Sequence, residues 1–290
     1  MGPADVFAYQ FMQYALLAAL VTGASAPALG TYLVQRRLAL IGDGLGHVAL
    51  TGVGAALLTA GSPVLFAMAA AAAGAVLVEL VRHRGRTSAD VALAVMFYGG
   101  IAGGVFLTAR SPESTTGLTG FLFGSPLTVS ASDLVVMTVL GATVVAVAVG
   151  LRPWLFAVGH DEEFARAAGL PVRALNLLTA VATAVTVTVA MRAVGLLLVS
   201  ALMVVPVATA QLLTRSFRAT QHLAMAIGVV AAGVGIWVSG AFDTAPGATI
   251  VLLTIAAFAA TAVATGVRRR ARDRAATRRS AAPPPATVPR

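Results

Sequence analysis

The sequence predicts an all-α, polytopic membrane protein with eight or nine transmembrane helices, on three observations. Of 290 residues, 58% are hydrophobic and 11% charged, with a mean hydropathy of +0.89; soluble domains use roughly 45–50% apolar and 25% charged residues. Nine stretches are apolar over about the 20 residues that a helix needs to cross a hydrocarbon core. Arginines gather in alternate connections between those stretches, as positive-inside topology requires.

The first stretch, 9–34, follows an N-terminus without a basic residue, so it reads as a retained span and not as a signal peptide. The others lie near 38–60, 63–81, 91–109, 130–151, 174–191, 194–213, 219–240 and 247–267. Arg36/Arg37, Arg82/Arg84/Arg86, the region from Arg152 to Arg173, Arg215/Arg218 and the tail are assigned to the cytoplasm. If all nine segments cross, the N-terminus is outside and the C-terminus inside; the weak interruption at Met191-Arg192 is where the count could change. Residues 115–130 (TTGLTGFLFGSPLTVS) are broken by glycines and Pro126 and read as a short re-entrant or surface helix. Pairs such as Gly42/Gly46, Gly99/Gly103 and Gly100/Gly104 suit close helix approach in lipid. The chain therefore divides into a transmembrane domain, 1–267, and a disordered basic cytoplasmic tail, 268–290, that ends in AAPPPATVPR.

Composition also excludes function classes. All 20 basic residues are arginine, so the lysine of a phosphate-binding Walker A loop is absent and any ATP is hydrolysed on another chain. With 0 cysteines there are no disulfides, thiolate metal sites or iron–sulfur clusters, which leaves imidazole, carboxylate and carbonyl oxygen as metal ligands. The net charge of +9 is explained by arginines flanking the spans, so the expected partner is the lipid bilayer and not nucleic acid. No nucleophile–base arrangement, HExxH or nucleotide loop is present, and no catalytic residue is assigned.

The segment LALIGDGLGHVALTGVGAALL holds a lone acid and a lone imidazole, Asp43 and His47, on one helix face about 6 Å apart along the axis. An Asp near the centre of a span costs roughly 2.5–3.5 kcal/mol, which points to a polar path through the protein and to movement of an ion. Carboxylate and imidazole suit Zn²⁺ or Mn²⁺, and two such ligands from each of two subunits would complete a four-ligand site. The plainer reading is an Asp at a helix start and a His bonded to a neighbouring helix. In GHDEEFARAAGLPVRALN, Asp161, Glu162 and Glu163 suit the positive end of a short amphipathic helix that Gly169 and Pro171 terminate. That helix is either a docking element for a soluble partner or an interfacial helix on headgroups. Pro206 predicts a kink in the seventh span.

In three segments the chain resembles the permease subunits of bacterial ABC-type importers of zinc, manganese or iron(II): RRLALIGDGLGHVALTGVG (36–54), DEEFARAAGLPVRALN (161–176) and AMRAVGLLLVSALMVVPVATAQLL (190–213). FDTAPGATIVL (242–252) agrees as well. The resemblance implies a homodimer in the bacterial cytoplasmic membrane, bound by cytoplasmic ATP-binding subunits and an extracytoplasmic metal-binding protein. It implies that Asp43 and His47 contact the metal in transit, with no cofactor held permanently; zinc stands ahead of manganese. It also implies a coupling helix within 160–174, with Glu162, Glu163, Phe164, Ala165, Ala168 and Gly169 facing the ATPase. The alternative is a proton-coupled secondary transporter without ATPase subunits, for which no inverted repeat is evident.

Overall fold

The computed structural model describes residues 9–84, 89–110, 120, 122, 124 and 129–280. Its helices are α1 (Gln10–Gln35), α2 (Ile41–Thr59), α3 (Pro63–Arg84), α4 (Ala89–Thr108), α5 (Ala131–Gly150), α6 (Arg152–His160), α7 (Glu162–Ala167), α8 (Val172–Ala193), α9 (Leu196–Leu213), α10 (Phe217–Phe242) and α11 (Pro246–Ser280). No strand occurs among the described residues. Eight helices are long and apolar enough to cross a membrane: α1 to α5, α8, α10 and α11. In α9 the apolar part, Leu198–Leu213, is shorter. The weak interruption at Met191-Arg192 is a real break: α8 ends at Ala193, and Gly195, at φ 92°, separates it from α9. Only a residue without Cβ adopts that φ without strain.

Helices α1, α2 and α8 form the centre of the bundle, and α4, α5 and α11 lie outermost. Helix α2 packs on α4, α3, α8 and α9, while α1 packs on α10, α5, α9 and α8. Many buried polar side chains here are threonines whose hydroxyls donate to the carbonyl four residues back: Thr22 to Ala18, Thr183 to Thr179, Thr186 to Ala182 and Thr188 to Ala184. Each hydroxyl is thereby satisfied within its own helix, where no water is at hand. On the outer side, Asp133 joins α5 to α8 through Arg192, at 3.1 Å.

Helix α11 runs beyond the last span into the stretch expected to be a tail. Its backbone stays helical through Ser280, so 268–280 continues the last helix. The stretch RRRARDRAATRRS contains no Gly or Pro and is dominated by Arg and Ala, which are strong helix formers. Residues 281–290 lie outside the described residues, as do most of 115–130.

Candidate functional site

Helix α2 begins at Ile41, and its first turn carries Asp43. Glycines allow this end of the helix to sit deep. A methyl at Gly42 would lie 2.9 Å from Ser200 Oγ and 3.3 Å from Met203 Sδ on α9, and one at Gly46 would lie 3.0 Å from Leu196. On another face α4 rides over the backbone: a methyl at Gly100 would lie 2.6 Å from the carbonyl carbon of His47 and the amide nitrogen of Val48. Thr51 Oγ1 donates to the Gly100 carbonyl at 2.9 Å and ties the two helices. Successive residues turn by about 100° around the helix, which places Asp43 and His47 between the α9 face and the α4 face. Helices α4 and α9 make no substantial contact with each other, and both side chains stay partly exposed along the gap between them.

The imidazole is anchored to its own helix. His47 Nδ1 lies 2.7 Å from the backbone oxygen of Asp43. A carbonyl can only accept, so Nδ1 carries a proton in this contact, and in the neutral ring Nε2 then keeps its lone pair. The ring also packs on Phe97 of α4, with centroids 4.3 Å apart. A fixed tautomer with one bare nitrogen is the form in which histidine ligates a metal. Among the described residues no three His, Cys, Asp or Glu side chains converge, so one chain brings at most two donors of these types to any such ion.

The segment 160–174 is not one helix. His160 ends α6, α7 spans only Glu162–Ala167, and α8 starts at Val172. Asp161 breaks it at the front: its backbone is extended, and its carboxylate accepts from the amides of Glu163 and Phe164, each at 2.9 Å. Gly169, at φ 80°, and Pro171 break it behind. Glu163, Phe164, Ala168 and Gly169 are exposed, Ala165 is buried, and the Phe164 ring is 69% exposed. Glu162 turns inward instead. Its Oε1 accepts from Asn176 Nδ2 at 3.1 Å, and Asn176 Oδ1 accepts from Arg36 Nη2 at 2.7 Å. A bonded chain thus runs from α7 through buried Asn176 to the α1–α2 turn, seven residues before Asp43. Sequence reasoning missed it; the polar Asn in the second turn of an apolar helix was the available signal.

A second polar cluster was also missed. Gln221, fully buried on α10, accepts from Arg152 Nε at 2.6 Å and donates to the Ala28 carbonyl at 3.1 Å, while Arg152 Nη2 lies 3.0 Å from His222 Nε2. Pro206 is buried inside α9, which continues through it. Helix α1 contains a second proline, Pro27, which leaves the carbonyl of Gly23 without its helical donor. Helix α10 closes over that point at a glycine: a methyl at Gly23 would lie 2.6 Å from the Gly228 oxygen.

Comparison with known proteins agrees with this architecture. Residues 8–265 match the ABC 3 transport family, and the chain belongs to that family. It is 32% identical to the manganese transport system membrane protein MntC of Halalkalibacterium halodurans, over 88% of this chain and 87% of that protein. It is likewise 32% identical to a probable iron transport system membrane protein of Haemophilus influenzae, over 86% of this chain and 92% of that one. The solved structure of PsaBC from Streptococcus pneumoniae in complex with a Fab superposes with a TM-score of 0.80 at 27% identity, covering 89% of this chain and 93% of that one. The chain is a multi-pass ABC permease subunit, with a transport role and not an enzymatic one.

Proposed function

We propose that this permease passes a divalent metal ion from an extracytoplasmic binding protein into the cytoplasm, as a homodimer driven by two ATPase subunits in the bacterial cytoplasmic membrane. The observation that supports the reading is the anchoring of His47 through Nδ1, which in the neutral ring leaves Nε2 free to ligate on a partly exposed helix face that Asp43 shares one turn away. Asp43 supplies charge compensation and an oxygen, and His47 a nitrogen. Two copies joined along the gap between α4 and α9 bring two such pairs together. Such a site releases its ion because it is assembled from two halves and not from one closed cage. Exposed Phe164 and Glu163 offer α7 to the ATPase, whose closure on ATP displaces α7 and exposes the path to alternate sides. Two relatives carry manganese and iron in their names, so manganese is the first cation to test, ahead of the zinc favoured by the donor set alone.

The test is radiolabelled manganese uptake by cells carrying Asp43→Ala or His47→Ala, with insertion checked by immunoblot. Each variant is expected to lose about 10- to 100-fold in uptake at limiting metal, the scale on which metal sites respond to loss of supporting groups. Unchanged uptake in both variants would remove these residues from the path. Uptake into proteoliposomes driven by a pH gradient without ATP would replace the reading with proton exchange.

A further inference from the structure

On the face formed by α1, α5 and α10, two cavities run into one another. The first, about 610 Å³, is almost wholly apolar and extends along α1 and α5 from Thr138 past Val21, Gly141 and Val145 to Val149 and Gly150. The second, about 440 Å³, shares Val149 and Gly150 and continues to Arg152, Phe156, Phe217 and Arg218. Polarity therefore changes along one continuous groove, from aliphatic to cationic, at the side that the arginines mark as cytoplasmic. From Thr138 to Gly150 the helix rises about 18 Å, against about 15 Å for one leaflet of hydrocarbon. The groove has the length of an acyl chain and ends where a headgroup would lie.

The cationic end is built in advance. Arg152 is held by Gln221 at 2.6 Å and by His222 at 3.0 Å, so its guanidinium needs little ordering when an anion arrives. Arg218 is exposed and lines the same cavity from α10, Phe156 and Phe217 pack together with centroids 4.9 Å apart, and among the described residues no carboxylate lines either cavity. A second copy of the chain is not the natural occupant. Helix α5 makes no substantial contact with α2, α4 or α9, so the groove lies away from the gap where Asp43 and His47 stand.

We propose that this groove binds an anionic phospholipid of the cytoplasmic leaflet, with an acyl chain along α1 and α5 and the phosphate between Arg152 and Arg218. Helices α5, α6 and α10 meet at that point, so the lipid bridges the base of the spans and the arm that leads to α7. The site stands whether or not Asp43 and His47 carry metal.

The experiment uses the full chain in nanodiscs with equal phosphatidylglycerol and phosphatidylcholine, extracted into detergent and read by native mass spectrometry for retained lipid. The wild type is expected to retain phosphatidylglycerol over phosphatidylcholine. Arg218→Gln is expected to cut that preference about fivefold, the value of one arginine near an anionic headgroup. Gly150→Leu points into open space, with nothing within 4 Å of an added methyl, and is expected to lower retention of both lipids without loss of fold. Equal retention of the two lipids by the wild type, or unchanged retention in both variants, would overturn the proposal. Displacement by inorganic phosphate alone would make it a free-anion site. Cross-linking of two copies through Ala146→Cys, in a chain with 0 native cysteines, would show that protein fills the groove instead.

Discussion

The two regions that carry the proposed function are made in opposite ways. Around Asp43 and His47 the geometry comes from missing side chains: Gly42, Gly46 and Gly100 let three helices meet backbone to side chain or backbone to backbone. Around α7 the geometry comes from side chains that reach: Asp161 caps, Glu162 and Arg36 both hold Asn176, and the outer face stays bare. The first arrangement resists deformation because backbone cannot step aside, and the second is a surface tethered at one buried point. On the proposed function, the stiffness lies at the ion path and the play at the surface offered to the ATPase.

Gly100→Val challenges that contrast most strongly. It drives carbon atoms to about 2.6 Å from the His47–Val48 peptide, and overpacking against backbone costs on the order of 1–3 kcal/mol or more. Thermal unfolding in detergent is expected to move down by roughly 5–10 °C, with uptake lost. Gly99→Val, one residue away and with nothing within 4 Å, is expected to stay within about 0.5 kcal/mol of wild type. Equal shifts for the two would show that glycine packing is not what sets this site.

Next comes Asn176→Ala, which removes the tether and with it one hydrogen bond to each of the charged groups Arg36 and Glu162, at a cost of about 1–3 kcal/mol. If the tether transmits motion, the purified permease–ATPase complex still forms and still hydrolyses ATP, but moves less manganese per ATP than wild type. Unchanged stoichiometry would leave Asn176 a structural residue only. The smallest effect on stability belongs to Phe164→Ala. Its ring is 69% exposed, so unfolding should shift by less than about 0.5 kcal/mol, while affinity for the ATPase subunit, read by titration in detergent, falls by about tenfold or more. An unaltered affinity would take Phe164 out of the docking surface.

Much of the fold could be read before the structure because lipid imposes a single rule, and nine apolar runs with alternating arginines follow from it. The shared face of Asp43 and His47 was likewise a matter of helical period. What could not be read were contacts across distance: Arg36 and Asn176 are 140 residues apart, and no periodicity pairs them. Nor could sequence distinguish Gly99 from Gly100, which occupy the same motif yet face open space and the α2 backbone respectively. The run of arginines after 267 reads together with the Ala/Pro-rich end AAPPPATVPR as one tail. Helix propensity carried α11 through it, and solvation of side chains is no obstacle to a helical backbone.

The Pro27 seam bears on how such a machine changes shape. With the Gly23 carbonyl deprived of the donor that Pro27 lacks and Gly228 pressed against Gly23, α1 and α10 are keyed together at a place where neither glycine has a side chain to flex. Sliding one past the other would push Cβ atoms of the next residues into main chain, so shear along this seam is blocked. The pair travels as one strut, and the pivot for switching between faces must fall elsewhere, along contacts that side chains can remake.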